Sequence, residues 1–396
     1  MTTPSGARSV KRPANRRALI AAAAAELFAS EGYEHVSMGE IAEAVAVGPS
    51  ALYRHFPGKS ELLAVVIDDI ATDLETISTD HDTLATLVGR LVEFAVDHRD
   101  AAVLWQRESR HLPPEVNVPL QARLQSVSDN VGQTIRDHRR GLDADSAHVL
   151  ATATLGVILS PAFHQTDMDR VEFIALLTAI VGRVLHVDVP ATTAPPSSGS
   201  ERLVRASRRE QIIAAALRLF AERTYASVGM EEIAAAAHVA VSTVYHQFPG
   251  KAEILATALQ RGTGYLQITL DWTLDTAGDH REALTRLVRG YSRFAMQHPE
   301  LIDALITEIR SLDAASARNA TVAQREYVAE WTGLYRHEHP GVSPAAATVT
   351  VQAALMIINN LARTAASRDR ADADNVAATL AAAALELTPV TSVQVQ

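Results

Sequence analysis

No cysteine occurs in the 396 residues. Disulfides, thiolate nucleophiles and Cys-ligated zinc are therefore excluded, and the lack fits a reducing compartment. The signatures of common enzyme classes are missing as well: there is no Walker loop, no GxGxxG after a strand, no HExxH and no GxSxG. Acidic and histidine residues are scattered, so neither an enzyme, a cofactor nor a metal site is expected. His337-Glu338-His339 looks metal-like, but Pro340 beside it points to a solvated segment between helices. No stretch alternates apolar and polar residues as a half-buried strand would. Alanine is abundant and the chain holds only 19 glycines, which favours helices.

An overall basic charge is also lacking, since the formal net charge is −10. Its distribution matters more than its total. Residues 1–63 hold seven Lys/Arg against six Asp/Glu, and residues 200–255 hold the same numbers, so the acidity lies elsewhere. Two near-neutral segments with basic arms sit on an acidic body, and local clusters set the field a nucleic acid meets.

Two segments imitate targeting signals. Arg16-Arg17 followed by an alanine run resembles a signal peptide. Glu26 interrupts it, and the same pattern recurs internally at Arg208-Arg209, so a leader is not expected. Ser146–Thr166 carries no Asp, Glu, Lys or Arg and has the length of a membrane span. It also holds three threonines, Pro161 and two histidines, so a buried helix is expected instead. No membrane partner is expected, and the location is read as cytoplasmic.

The dominant feature is an internal repeat. Residues 27–29 and 219–221 both read LFA, and residues 56–59 and 248–251 both read FPGK, so the copies stand 192 residues apart. Between Arg16 and Leu63 they align without a gap, and roughly half the positions are identical. Weaker similarity continues at an offset of 200: His98, Glu108, Arg110 and Leu112 match His298, Glu308, Arg310 and Leu312. A whole unit is therefore duplicated. The reading divides the chain into a head (1–63), a regulatory domain (64–190), a linker (191–200, ATTAPPSSGS), a second head (201–255) and a second regulatory domain (256–390).

Within the first head, Ile20, Ala24, Leu27 and Phe28 recur at helical spacing, and Gly32 stops that helix. Ser37 and Glu40 form a capping box for a second helix. After a tight turn, Gly48 caps and Pro49 starts a very short third helix, which Pro57-Gly58 ends. A short helix, a tight turn and a tiny helix rich in small residues are helix-turn-helix logic, with the last helix entering the major groove. Gly48, Pro49, Ser50 and Ala51 let the backbone approach base edges, while Ser37, Tyr53, Arg54, His55 and Lys59 are expected at flanking phosphates. The second head presents Ala240, Val241, Ser242, Thr243, Tyr245, His246 and Lys251 instead, so it should read a different half-site. Its cap is weaker, because Gly229 replaces Ser37. Basic lead-ins precede both heads: Arg8, Lys11, Arg12, Arg16 and Arg17, then Arg202, Arg205, Arg208 and Arg209. They are expected at phosphates or in the minor groove.

Leu52-Tyr53-Arg54-His55-Phe56-Pro57-Gly58-Lys59, preceded by Leu27-Phe28-Ala29 and Glu40-Ile41-Ala42, resembles the TetR/AcrR family of bacterial regulators. Val244-Tyr245-His246-Gln247-Phe248-Pro249-Gly250-Lys251 is the weaker copy. Ordinary members are single units that pair as homodimers; this chain is similar to a tandem variety found in actinobacteria. The resemblance implies an all-α fold of two TetR-like units. Each has a DNA-binding head and an antiparallel helical regulatory domain, and the pair forms an intrachain pseudo-dimer. It also implies that the last two helices of each regulatory domain build a four-helix interface, for which Ser146–Thr166 and His339–Ala362 are suited.

The implied function is a ligand-responsive repressor reading a pseudo-palindromic double-stranded DNA operator as a single chain, with a lipid-like small-molecule effector. Phe94, Trp105, Phe163, Tyr291, Phe294, Trp331 and Tyr335 are the aromatic candidates for its pocket, with core packing the competing role for each. The family usually has a glycine in the turn where this chain has Ala46 and His238. The alternative reading is a helical interaction or scaffold protein whose heads have lost DNA binding.

Overall fold

A computed structural model describes residues 16–191, 206–223 and 225–387, and all regular structure among them is helical. The first unit runs α1 (Arg16–Glu31), α2 (Met38–Ala44), α3 (Pro49–Tyr53), α4 (Lys59–Thr79), α5 (Leu84–Asp97), α6 (Ala101–Gln106), α7 (Pro114–His138), α8 (Ala144–Leu159) and α9 (Arg170–Leu185). The second runs α10 (Arg208–Glu222), α11 (Met230–Ala236), α12 (Val241–Gln247), α13 (Lys251–Thr276), α14 (His280–Gln297), α15 (Pro299–Thr307), α16 (Ala314–Glu338), α17 (Pro344–Arg363), α18 (Ala365–Arg368) and α19 (Ala373–Ala384). The expected boundaries at residues 63 and 255 fall inside α4 and α13. Each head is thus joined to its body by one continuous helix, and a tilt of that helix moves both.

Three hydrophobic cores organise the chain. One lies in each head: Ile20, Phe28, Ile41, Leu52, Phe56 and Leu63 in the first, and Ile212, Phe220, Ile233, Val244, Phe248 and Leu255 in the second. These are equivalent positions of the repeat. The third core is shared by the two bodies and runs without a break from Leu87 and Leu150 to Trp331 and Ile357. The units are therefore fused through buried apolar surface, the dominant favourable term in folding.

That fusion centres on α8 against α17, with α9 and α19 completing four helices. A Cβ on Gly156 would lie 2.8 Å from the Met356 carbonyl oxygen and 2.9 Å from the Ile357 Cα, so only glycine admits this approach. Asn360 Nδ2 donates to the Thr152 carbonyl at 2.7 Å across the same contact. Ala144–Phe163 and Pro344–Arg363 are long and apolar enough to cross a membrane, but 72% of each window is buried inside the fold. Their apolarity is accounted for by each other.

Candidate nucleic-acid interface and effector cavity

Local chemistry shapes each head. Gly32, at φ 92°, ends α1 and donates its N–H to the Phe28 carbonyl at 3.0 Å. The Ser37 hydroxyl accepts from Glu40 N at 3.2 Å, and Ser37 N donates to Glu40 Oε2 at 2.7 Å. The Ser37 N–H, and the Ser37 hydroxyl donating to the same Oε2 at 2.7 Å, hold the Glu40 carboxyl below the usual range. In the second head only half of this box survives, as Gly229 N donates to Glu232 Oε2 at 2.9 Å.

The turn after α2 closes as a Schellman motif: Val47 N bonds the Ala42 carbonyl at 2.9 Å and Ala46 N the Glu43 carbonyl at 3.0 Å. The motif needs a left-handed residue, and Ala46 takes φ 51°. His238 does the same at φ 54° in the second head. Both turns form without glycine, at a cost of about 1 kcal/mol each.

The third helices α3 and α12 each bury one apolar side chain, Leu52 and Val244, and leave their other residues half-buried or exposed. Gly48, Pro49 and Ser50 are exposed and Ala51 is half-buried; Ala240 and Ser242 are exposed, with Val241 and Thr243 half-buried. Tyr53 and Tyr245 are 53% and 51% exposed at equivalent positions, and Arg54, His55 and His246 are exposed beside them.

Several expected contacts take another role. The Lys59 ammonium donates to the backbone carbonyls of Tyr33 (2.7 Å) and Val36 (2.9 Å) and lies 4.3 Å from the Tyr33 ring centre. Lys251 repeats this on Tyr225 (2.6 Å), Ala226 (3.1 Å) and Val228 (3.0 Å), 4.4 Å from the Tyr225 ring. Burial pushes both lysines below their ordinary pKa. They are latches that tie the start of α4 or α13 to the loop after the first helix, a role their reading as phosphate donors did not include. Ser37 likewise spends its hydroxyl on the cap. Arg17 lies over Phe56 at 5.0 Å and Arg209 over Phe248 at 4.0 Å, where Arg209 also donates to the Gln247 carbonyl at 2.9 Å. Arg16 is half-buried and Arg208 exposed. Arg8, Lys11, Arg12, Arg202 and Arg205 lie outside the described residues.

The bodies differ where the heads agree. A cavity of about 450 Å³ opens in the first body, walled by Leu74, Phe94, Trp105, Leu124, Val127 and Ile158 and, from the second unit, by Ala221, Asp303 and Arg363. At the equivalent place the second body keeps about 70 Å³, lined by Tyr291, Tyr327 and, from the first unit, Phe163. Leu91, Val127, Val131 and Ile135 have become Tyr291, Tyr327, Trp331 and Tyr335. Tyr327 packs on Trp331 at 5.9 Å, and Tyr291 donates to Asn359 Oδ1 at 2.8 Å. The aromatic candidates thus divide. Phe94 and Trp105 line the larger cavity, and Phe163 and Tyr291 the small one. Phe294 lines an open groove under the second head. Trp331 and Tyr335, 0% and 2% exposed, are core.

Sequence reasoning marked Glu108 and Arg110 as repeat positions without giving them a task. Tyr33 N donates to Glu108 Oε2 at 2.9 Å, fixing the first head to its own body. Arg310, from the second body, donates to the Ala29 and Ser30 carbonyls at 3.0 and 2.9 Å and so grips the end of α1 in the first head. Arg110 reaches the Phe220 carbonyl of the second head at 3.5 Å. Each body therefore touches the opposite head. Glu338 pairs with Arg281 at 3.1 Å and His337 stacks on His280, and no metal-type cluster occurs among the described residues.

The sequence profile described as bacterial regulatory proteins, tetR family, matches residues 20–66 and again 212–258. The chain is 30% identical over 176 residues to the HTH-type transcriptional activator FasR of Mycolicibacterium smegmatis, covering 42% of this chain and 80% of FasR. It is 30% identical over 119 residues to the HTH-type transcriptional repressor KstR of the same organism, covering 30% of this chain and 57% of KstR. A TetR-family transcriptional regulator from Bordetella parapertussis of known structure covers 46% of this chain and 96% of its own, with 19% identity and a TM-score of 0.42.

Proposed function

Because the chain belongs to the TetR family of bacterial regulatory proteins and carries its DNA-binding region twice, we propose that it is a ligand-responsive transcriptional repressor in which one chain grips one operator with both heads. The observation that carries this is the pair of short helices α3 and α12, each anchored by one apolar residue and presenting an exposed tyrosine. Their different faces, Gly48-Pro49-Ser50-Ala51 against Ala240-Val241-Ser242-Thr243, favour an operator of two unlike half-sites spaced by roughly one helical turn, about 34–36 Å.

The first body is the sensor and the second a packed support, since aromatic side chains fill the second cavity. The apolar part of the first cavity's wall, with Leu74, Phe94, Trp105 and Ile158, fits the hydrocarbon part of a lipid-like effector. A ligand regulates only through its different affinity for the DNA-competent and incompetent head arrangements. Helix α10, whose Ala221 forms part of the cavity wall, is the element it would move. In this reading the ligand-free chain holds the duplex and the loaded chain leaves it. The site of action is the cytoplasm, where the operator lies.

Gel shifts against the DNA upstream of the coding region test the reading. Binding that weakens steeply with salt, and falls by roughly 1–3 kcal/mol when Tyr53 and Arg54 are both changed to alanine, is expected. Unchanged binding by that variant removes the first head as a reader. No binding to any genomic fragment leaves the scaffold role in its place. A reporter behind the bound promoter gives the sign of regulation.

A further inference from the structure

We propose that the first-unit cavity takes an anionic amphiphile whose charged group engages Arg110 and Arg363, and that this ligand controls the opposite, second head. The proposal rests on the reading of that cavity as the effector site and adds its ligand class and the direction of its action.

The charge of the lining is unbalanced. Three guanidinium groups, Arg99, Arg110 and Arg363, face the cavity with one carboxylate, Asp303. That carboxylate is shared. Arg110 donates to its two oxygens at 2.8 and 2.7 Å, and Arg363 Nε donates to the first of them at 2.9 Å. Arg363 turns its other end to Gln106 Oε1 at 2.9 Å, a neutral acceptor. Glu308 stands 3.6 Å from Arg110 but lines a different cavity between the heads. Arg99 has no carboxylate partner among the described residues; it lies over Phe173 at 4.7 Å and reaches the Thr166 carbonyl at 3.5 Å. His148 also lines the cavity, and its Nε2 is buried without a partner. Cations withdrawn from water need anions or good acceptors. The wall itself supplies one carboxylate for three cations, with Glu308 reaching Arg110 from the neighbouring cavity; a ligand anion adds the missing partner while its apolar body meets Leu74, Phe94, Trp105, Leu124 and Ile158.

The same arginine connects to the far head. Ala221, in α10, forms part of the cavity wall, and Arg110 lies 3.5 Å from the carbonyl of Phe220 beside it. Glu308, within reach of Arg110, also accepts from the Tyr225 backbone. A ligand that draws Arg110 into the cavity loosens the end of α10, whereas the end of α1 stays held by Arg310. The first unit senses and the second head responds.

The test uses the full chain without DNA. Unbranched carboxylates from octanoate to palmitate, and the alcohols of the same lengths, are titrated below their micelle concentrations and followed by tryptophan fluorescence and equilibrium dialysis. Saturable binding of at least one carboxylate, about tenfold tighter than its alcohol, is expected. Asp303→Asn removes the internal competitor and should tighten carboxylate binding by about tenfold, a gain that unfolding does not imitate. Hydrogen exchange should rise on carboxylate addition at residues 219–226 and stay unchanged at residues 27–33. No saturable carboxylate binding, equal binding of acid and alcohol, weaker binding by a folded Asp303→Asn, or equal response at both heads each overturns the proposal. If Asp303→Asn does not fold, the acid–alcohol comparison on the native chain decides. Failure to bind operator DNA would sink the proposed function while leaving these results to stand on their own.

Discussion

Gly156 and Met356 meet so closely that the backbone of α8 rests against the carbonyl of α17, with 2.8 Å left for a Cβ at position 156. This contact sits in the four-helix interface between the two units. It carries the first prediction. Glycine inside a helix is usually costly, so Gly→Ala should stabilise by roughly 0.5–1 kcal/mol. Gly89 and Gly182, with nothing near their Cβ positions, should follow that rule. Gly156→Val should reverse it, costing roughly 1–3 kcal/mol, since a backbone carbonyl cannot swing aside. Urea unfolding of the three variants checks this, and a stabilised Gly156→Val would mean that the interface is not packed as described.

The turns give the second prediction. Ala46 and His238 hold φ 51° and 54°, a region that glycine enters freely. Ala46→Gly and His238→Gly should each stabilise their head by about 1 kcal/mol, measured as a rise in the unfolding midpoint. A loss of stability would show that the side chains make compensating contacts.

Lys59 and Lys251 supply the third. Replacing either with methionine keeps the stem and removes the donors to two or more carbonyls. Stability should fall by roughly 1–3 kcal/mol, and operator affinity should fall with it. If these lysines mainly touched phosphate, stability would stay unchanged and only the salt dependence of DNA binding would drop.

Much of this was legible in the sequence. The repeat, the capping box at Ser37 and Glu40 and the stop at Gly32 are local features with local signatures, whereas the left-handed conformation of Ala46 and His238 is not announced by their residue types. Ser146–Thr166 was readable as buried because its threonines and histidines disqualify a membrane span, although its partner α17 required the fold. The lysine latches were not legible: their acceptors are backbone carbonyls, which no residue code announces, so an exposed phosphate ligand and an internal latch look alike. Arg110 and Arg310 stood out only as repeat markers. Their partners lie 110 and about 280 positions away in the chain, a separation that periodicity does not reach. The aromatic candidates were visible as residue types, but which cavity survives depends on how Tyr327 and Trp331 pack together.

That asymmetry yields the fourth prediction. Val127→Tyr copies into the first body what Tyr327 does in the second. The variant should fold, bind operator DNA like the native chain and lose its response to effector, as followed by gel shift with and without ligand. A variant that still responds would move the sensor away from this cavity.

The stoichiometry of the DNA complex tests the central claim most directly. Sedimentation of the full chain with a duplex carrying both half-sites should give one chain per duplex across a range of protein concentrations, and removing either half-site should weaken binding sharply. Complexes that form only with two chains per duplex, or that are indifferent to one half-site, would contradict a single-chain grip by two heads.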